Sequence, residues 1–567
     1  MHVENRRRFT GSPDEMLLLL AALGENVYPP WRLTRTAHAR LLRQKATDAA
    51  GQTVADQFKI DPDQHGLPEL RKVDRCITCH AGVEDPRFSD QPQPFSTHPG
   101  DLLATHPPRK FGCTTCHQGQ GPATLLPDAH GNVPFWAEPM IPVRYAYAGC
   151  GACHTHIRVP NQTELARGRN LLERYDCLAC HRLEGRGGTL RPGGTGGMEG
   201  PDLSHVGVRG FDPDWYDKHR KQAEQAQSGP WRSCFGPIDP AHRKAIEGFL
   251  GSRVGAPQLV EAKALFHSLG CRGCHKVGGV GGDDGPDLTS VGKKDPHRLD
   301  FSHVPGERTL ANWLAQHFRH PAKVVPGSQM PALGLSQEQI DSLVFYMLSL
   351  RRANLPEAYW PKDRLRAERL GEREFETDGA TLFSTFCAAC HGPSGEGRRY
   401  PGMIVFPAVG NPDFLAVADD EFIAETIRGG RPGRRMPAWG EKDGGLRPDE
   451  ISQIVAHLRG ASGVPAPRDA HAQRRWVQAD PTAGRELYTR NCAACHGAGG
   501  EGIDGPALNN PRLLGAASDT YLVETIGRGR RGTPMKSFRA ASPVHPALTE
   551  AEIESIVAHL RTWEKQK

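Results

Sequence analysis

Fourteen of the 15 cysteines in the 567-residue chain fall into one five-residue string, Cys-x-x-Cys-His, which occurs seven times. The copies are Cys76/Cys79/His80, Cys113/Cys116/His117, Cys150/Cys153/His154, Cys177/Cys180/His181, Cys271/Cys274/His275, Cys387/Cys390/His391 and Cys492/Cys495/His496. At 15 Cys and 26 His, chance would supply on the order of 0.02 such strings. One helical turn separates the two thiols, so both face the same side, and the adjacent imidazole points into the space they border. Two thiols that can add to the edge of a planar macrocycle, beside an imidazole that can bind its metal, amount to the chemistry of covalent haem attachment. Paired structural zinc sites or a disulfide framework would not require His after the second cysteine seven times. The expected cofactors are therefore seven covalently attached haem c groups, with the seven motif histidines as proximal iron ligands.

The sixth ligand decides what each iron can do. Methionine raises the potential, a second histidine gives a lower one, and either blocks the substrate position. Met330 follows His275 by 55 residues, Met436 follows His391 by 45, and Met535 follows His496 by 39. Each lies in a Gly/Pro-rich loop where it has no packing role, and is expected to be a distal ligand. Met347 and Met403 stand at core-like or loop-packing positions. The stretch 71–160 has only Met140 to offer, but it has His98, His106 and His130 in loop contexts among its three haem motifs. These three are expected to give bis-His ligation, with His156 and Met140 as reserves. The motif at Cys177 lacks a matching methionine and has Arg232-Ser233-Cys234-Phe235-Gly236-Pro237 instead. Cys234 is either a thiolate ligand or an inert thiol. In the latter case the iron is open or bound by Met198, His205 or His219.

The elements that position these groups follow from spacing. Cys76, Cys113 and Cys150 lie 37 residues apart each time, too close for each haem to have its own helical fold. The haems of 71–160 must pack on one another inside loops, as a triheme module. Cys177, Cys271, Cys387 and Cys492 are separated by 94, 116 and 105 residues, enough for one small helical domain each. Ile451, Ile454, Val455 and Leu458 take the i, i+3, i+4, i+7 places of a helix, as do Ile553, Ile556, Val557 and Leu560. Ile340, Leu343, Val344 and Met347 repeat the pattern, and Ile246, Phe249 and Leu250 shorten it. Leu171-Leu172, Leu265-Phe266, Leu382-Phe383 and Leu487-Tyr488 predict a helix before each motif, and Gly168, Gly379 and Gly484 allow close crossing. The expected class is mainly α with many loops, in tandem units. The divisions are 1–70 (a lead-in, helical over Thr34–Ala50, with a signal or anchor remnant at Met16–Leu23), 71–160, 161–252, 253–355, 371–461 and 479–567. Stretches 356–370 and 462–478 read as linkers.

The last four units resemble the class I cytochrome c family over residues 161–567. That resemblance implies one haem per small helical domain and a proline carbonyl accepting the proximal imidazole N–H. The candidates are Pro201, Pro286, Pro407 and Pro506. Residues His106–Gly121 resemble multihaem cytochromes with a His-Pro…Phe-Gly-Cys-x-x-Cys-His-x-Gly-Gln-Gly signature, a family found beside quinol-oxidising or terminal respiratory complexes. Both resemblances imply haem loading outside the cytoplasmic membrane, hence a periplasmic location. Association with a membrane would run through the amino terminus or a partner subunit.

Net charge is +5 before cofactors, and seven haems turn it to roughly −2 or −9 with oxidation state. A nucleic-acid partner is not indicated, and there is no phosphate loop, nucleotide fingerprint or nucleophile triad. The expected function is electron transfer in a bacterial respiratory chain, with redox proteins or a membrane respiratory complex as partners. No catalytic residue is assigned. The alternative is a haem oxidoreductase with a sulfur-oxyanion or nitrogen-oxide site at the Cys177/Cys180 haem. A docked scaffold is a third, weaker reading.

Overall fold

In the computed structural model the described residues are 12, 14, 16–17, 29–188, 200–225, 237–254, 256–403, 405–467 and 473–564. The Met16–Leu23 run lies almost wholly outside them, as do Met198 and Cys234. Helix accounts for 49% of residues and strand for 4%, so the mainly α class holds. No helix among the described residues is long and apolar enough to cross a membrane.

The chain divides into two compact units, one of residues 1–153, 293–300 and 353–360, the other of 154–292, 301–352 and 361–567. The first opens with α1 (Pro30–Lys45) and α2 (Ala49–Gln57). The single lead-in helix expected over Thr34–Ala50 is therefore two. Asp48 accepts a hydrogen bond from Gly51 N at 2.7 Å and starts a new helix there, since an Asp side chain competes for the amides that would continue the old one. Strands β1 (His65–Leu67) and β2 (Lys72–Asp74) form an antiparallel pair ahead of the first motif. Beyond it the backbone runs mostly in loops, single turns and a ten-residue 3₁₀ segment, Val143–Ala152.

In the second unit one arrangement recurs four times: a helix leading into the motif crosses the last helix of the same repeat. The pairs are α3 (Gln162–Arg174) with α5 (Pro240–Gly251), α6 (Pro257–Ser268) with α8 (Gln337–Ser349), α10 (Gly379–Phe386) with α12 (Pro448–Ser462), and α13 (Pro481–Asn491) with α15 (Glu550–Glu564). Between the members of these pairs lie α4 (Trp215–Gln225), α7 (Leu310–Arg319), α11 (Asp420–Gly429) and α14 (Asp519–Arg528). Burial of the i, i+3, i+4, i+7 stripes drives the crossings, and Ile246, Leu343, Val344, Ile454, Ile553 and Val557 are at most 1% exposed. A β-carbon on Gly168, Gly379 or Gly484 would lie 2.2, 2.1 or 1.8 Å from a carbonyl oxygen of the partner helix. Glycine at these points sets how closely the backbones approach.

Part of the stretch expected to be a linker is a helix, α9 (Lys362–Leu370). Arg364 and Ala367 are buried, and Arg364 pairs with Glu368 one turn on at 3.6 Å. The stretch read as a linker from its Pro/Ala/Arg-rich composition, but α9 buries the face bearing Ala367. The last two repeats share one hydrophobic cluster and meet by reciprocal contacts. Asn411 Nδ2 donates to Arg531 O at 2.8 Å, and Asn510 Nδ2 donates to Pro432 O at 3.0 Å. Equivalent residues exchange roles, as across a two-fold interface.

Candidate haem-binding sites

Every Cys-x-x-Cys-His string closes one turn. The first cysteine's carbonyl accepts from the second cysteine's N–H at 3.1–3.4 Å in all seven, and in six it also accepts from the histidine N–H at 2.9–3.0 Å. Burial pushes the Cys177 and Cys150 thiols up to about 11 and those of Cys271, Cys387 and Cys492 to about 12. Such thiols stay neutral and make poor thiolate metal ligands.

The second cysteines are less alike than the uniform motif implies. Cys79, Cys116, Cys153, Cys180, Cys274 and Cys390 are half-buried, as are all seven first cysteines, whereas Cys495 is exposed. The hydrophobic cluster of the last two repeats packs against Cys492. The backbones of the second cysteines are held in different ways as well. Cys180 O accepts from Gly200 N at 3.1 Å, Cys274 O from Gly285 N at 2.8 Å and Cys495 O from Gly505 N at 2.8 Å. Each of these bonds draws a glycine, and the proline after it, up to the motif histidine. At Cys116 the neighbour is another attachment turn, because a β-carbon on Gly149 would lie 2.2 Å from Cys116 O. The turn that Gly149 leads into closes through Cys153 N, which donates to Cys150 O at 3.2 Å.

In the four helical repeats the motif imidazole is anchored by Nδ1. His181 Nδ1 donates to Pro201 O at 2.7 Å. His275, His391 and His496 donate to Pro286, Pro407 and Pro506 O at 2.8 Å. These are the four prolines the resemblance implied. A carbonyl can only accept, so each ring carries its proton on Nδ1 and presents the Nε2 lone pair, as a metal-binding imidazole must. Burial lowers the His181, His391 and His496 pKa against the opposing pull of the proline carbonyl, which keeps the rings neutral. The residue before the proline is Gly200, Gly285 or Gly505 in three repeats, and a β-carbon there would lie 2.4–2.7 Å from the imidazole Cε1. The ring fits because the side chain is missing. The third repeat has Phe406 at this place. The donor set, the protonation and these clefts all fit haem c.

The expected distal methionines sit in two loop forms. Arg431 N donates to Met436 O at 2.8 Å and Arg530 N to Met535 O at 2.7 Å, closing equivalent tight loops. Both side chains are half-buried against the shared hydrophobic cluster. Met330 is held differently, its N–H donating to Ser328 Oγ at 3.2 Å. Met347 is 1% exposed within α8 and packs as a core residue. Met403 Sδ receives a contact from Arg435 Nη1 at 3.1 Å.

Around the first three motifs the structure brings His98 to His117, with ring centroids 6.2 Å apart. His130 lies within electrostatic reach of His80, although burial is the larger influence on that imidazole. His106 packs beside Phe111 at 5.3 Å. Met140 donates its N–H to His130 O at 2.8 Å, and His156 Nε2 is 4.0 Å from Glu368. In the Cys177/Cys180 repeat His219 lies 6.0 Å from His181, centroid to centroid. Cys234 and Met198 belong to the residues not described.

Two features went unread in the sequence. The first is Asp74, whose carboxylate is fully buried. It accepts N–H bonds from Cys113 at 2.7 Å, Thr114 at 2.8 Å and Cys76 at 3.2 Å, and it ties the first attachment turn to the second. An Asp two residues before a motif was the visible signal, but its partners 39 and 40 residues on were not. Burial would raise the Asp74 pKa, but these bonds together with the Cys76 thiol bring it below the ordinary value. The second feature is a buried ion cluster. Lys263 Nζ lies 2.9 Å from Glu374 Oε2, and Arg272 Nη1 lies 3.0 Å from Glu374 Oε1. Lys263 also donates to Ile157 O at 2.9 Å, and Arg272 Nη2 to Val280 O at 3.1 Å. Arg272 lies inside the Cys271–His275 turn, so the cluster braces that turn against the segment leading to α10. The two attachment turns also touch directly. A β-carbon on Gly270 would lie 2.8 Å from Ala389 N, and the Cys274 thiol faces that of Cys390.

Cytochrome c is the family that matches residues 259–351 and 481–564. Residues 375–458 match the family of cytochrome c oxidase, cbb3-type, subunit III. The chain is 34% identical over 164 residues to the cbb3-type cytochrome c oxidase subunit FixP of Bradyrhizobium diazoefficiens, covering 27% of this chain and 51% of FixP. It is 30% identical over 256 residues to the corresponding subunit CcoP of Azospirillum sp. strain B510, covering 40% of this chain and 76% of CcoP. The chain thus spans about half the length of the former and three quarters of the latter. A chain of the Kuenenia stuttgartiensis reducing HAO-like protein complex aligns at 20% identity over 33% of this chain and 94% of that one, with a TM-score of 0.23. By the extent and identity of the CcoP match, the chain belongs to the family of c-type cytochromes that includes CcoP.

Proposed function

We propose that this chain is a heptahaem c-type cytochrome that carries electrons in a bacterial respiratory chain, outside the cytoplasmic membrane, between a respiratory complex and a downstream acceptor. The observation that carries this reading is the repetition of one complete attachment geometry. Two thiols lie on a closed turn, and in four repeats the Nδ1-anchored imidazole leaves Nε2 for a metal. Bound haem c supplies a one-electron ferric/ferrous couple.

The chain's own residues do the rest. The fourteen motif cysteines hold the haem edges, and His80, His117, His154, His181, His275, His391 and His496 bind from the proximal side. Met330, Met436 and Met535 are the distal ligands of the last three repeats and hold them at higher potential. His98 opposes His117 in the triheme module and gives a lower potential there. The contact of the Cys274 and Cys390 turns supports a short electron path between the second and third repeats. The relatives named as oxidase subunits support a respiratory complex as partner.

The test is to produce the full chain in a bacterium with a haem-attachment system, count haem by pyridine haemochrome absorbance and intact mass, and titrate the redox potential. Seven haems with separated low- and high-potential groups support the reading. Fewer than seven, or a single potential throughout, refute it.

A further inference from the structure

We infer that His219 is the distal iron ligand of the Cys177/Cys180 haem, which makes this repeat a bis-imidazole centre with no vacant position for a substrate. The inference rests on the haem-binding reading above and adds a ligand that the repeat pattern does not supply.

Four observations converge. His219 lies on α4, and its ring centroid is 6.0 Å from that of His181. With metal–imidazole bonds of about 2.0–2.1 Å and roughly 1.1 Å from nitrogen to ring centre, two rings on opposite sides of one metal lie about 6.2 Å apart. A direct Nε2-to-Nε2 hydrogen bond of about 2.9 Å would bring the centroids to roughly 5 Å. Second, both rings are fixed in the same tautomer. His181 Nδ1 donates to Pro201 O at 2.7 Å and His219 Nδ1 donates to Trp215 O at 2.8 Å, so each keeps its Nε2 lone pair for a metal.

Third, the His219 ring has a support built for it. Trp215 stands edge-on to it at 5.7 Å and 85°. The indole Nε1 in turn donates to Glu247 Oε1 at 3.0 Å, tying α4 to α5. Fourth, nearly the same separation, 6.2 Å, occurs between His98 and His117, in the module where spare histidines led to the same expectation. The repeat thus departs from the methionine pattern by drawing its sixth ligand from α4 rather than from the loop before the last helix.

The test uses the full, haem-loaded chain. Low-temperature EPR and near-infrared magnetic circular dichroism are recorded for the native protein, His219→Gly, His219→Met and Cys234→Ser, after haem counting. The expected result is a native protein with no high-spin signal from this site. In His219→Gly one haem becomes high-spin and returns to low-spin on adding imidazole, with the other six spectra unmoved. His219→Met gains one methionine-type charge-transfer band and raises one potential. The inference is overturned if His219→Gly leaves every haem signal unchanged, or if Cys234→Ser removes a thiolate-type low-spin signal. It is also overturned if the native protein already shows a high-spin haem that His219→Gly does not alter. A native protein lacking haem at Cys177/Cys180 would instead refute the haem-binding reading.

Discussion

Replacing Glu374 by glutamine would remove one negative charge from between two buried cations while keeping the shape of the side chain. Lys263 and Arg272 have side chains 4% and 0% exposed, and Glu374 is their shared counter-charge at 2.9 and 3.0 Å. Both cations keep carbonyl acceptors after the change, Ile157 O for one and Val280 O for the other, so the loss is one of charge more than of hydrogen bonds. Breaking a buried pair by removing one partner costs about 3–5 kcal/mol. Glu374 itself is 20% exposed, and water reaching it places the expected cost at the lower end, about 3 kcal/mol.

Burial alone would raise the carboxyl, but Lys263, Arg272 and their hydrogen bonds hold it far below the ordinary carboxylate range. The stabilisation is therefore fully present at neutral pH and is lost progressively as pH falls from the ordinary carboxylate range toward the lowered folded value. A chain of several repeats does not unfold in one step, so the assay is native-state hydrogen exchange of the α6 amides. About 3 kcal/mol predicts exchange faster by roughly 10²-fold, with the α15 amides unchanged. A Lys263→Met/Arg272→Met/Glu374→Leu triple variant should recover much of the loss, because apolar residues need no counter-charge. Less than a threefold change in Glu374→Gln would refute the reasoning and mean that solvent already screens the cluster.

Asp74→Asn keeps one acceptor and turns an amide NH₂ toward backbone donors, which should cost roughly 1.5–3 kcal/mol. It should also weaken any Soret circular-dichroism couplet between the first two haems, whereas unchanged coupling would show that Asp74 does not hold those turns together. His38 is 2% exposed, and burial, with Arg35 nearby, lowers it to about 4. The unfolded chain takes up a proton below about pH 6.5 that the folded chain refuses, so stability of the α1 region should fall by up to about 3 kcal/mol as pH drops from 6.5 toward 4. Amide exchange across that range should show the fall in the native chain and a flat profile in His38→Phe. Gly484→Ala would place a β-carbon 1.8 Å from Ser555 O and should destabilise the last repeat by about 1–3 kcal/mol. Gly248→Ala, within α5 and with nothing within 4 Å, should stabilise by roughly 0.5–1 kcal/mol. Amide-exchange rates in α13 and α5 check both.

The attachment chemistry was legible in the sequence because it is local. Two thiols and an imidazole within five residues need only one helical turn to converge, and the turn closes at every copy. The helix pairs were legible for a related reason, since a buried stripe at helical spacing leaves its period in the chain whatever it packs against. The same period shows the crossing glycines at 168, 379 and 484. Composition was a poor guide at 356–370, where a Pro/Ala/Arg-rich stretch read as a linker but α9 buries a face, and at the lead-in, where Asp48 divides one expected helix into two.

The sequence by itself determined which thiols and imidazoles share one turn and which methionines stand in Gly/Pro-rich loops. Tertiary structure decided which histidine faces which, His98 with His117 and His219 with His181, and which buried charges brace the attachment turns, Asp74 across 39 residues and Glu374 across more than 100. The physical reason is range. A covalent motif is specified by neighbours along the chain, whereas a distal ligand or a buried counter-charge is specified only by where the folded backbone returns, and no period or spacing in the sequence records that.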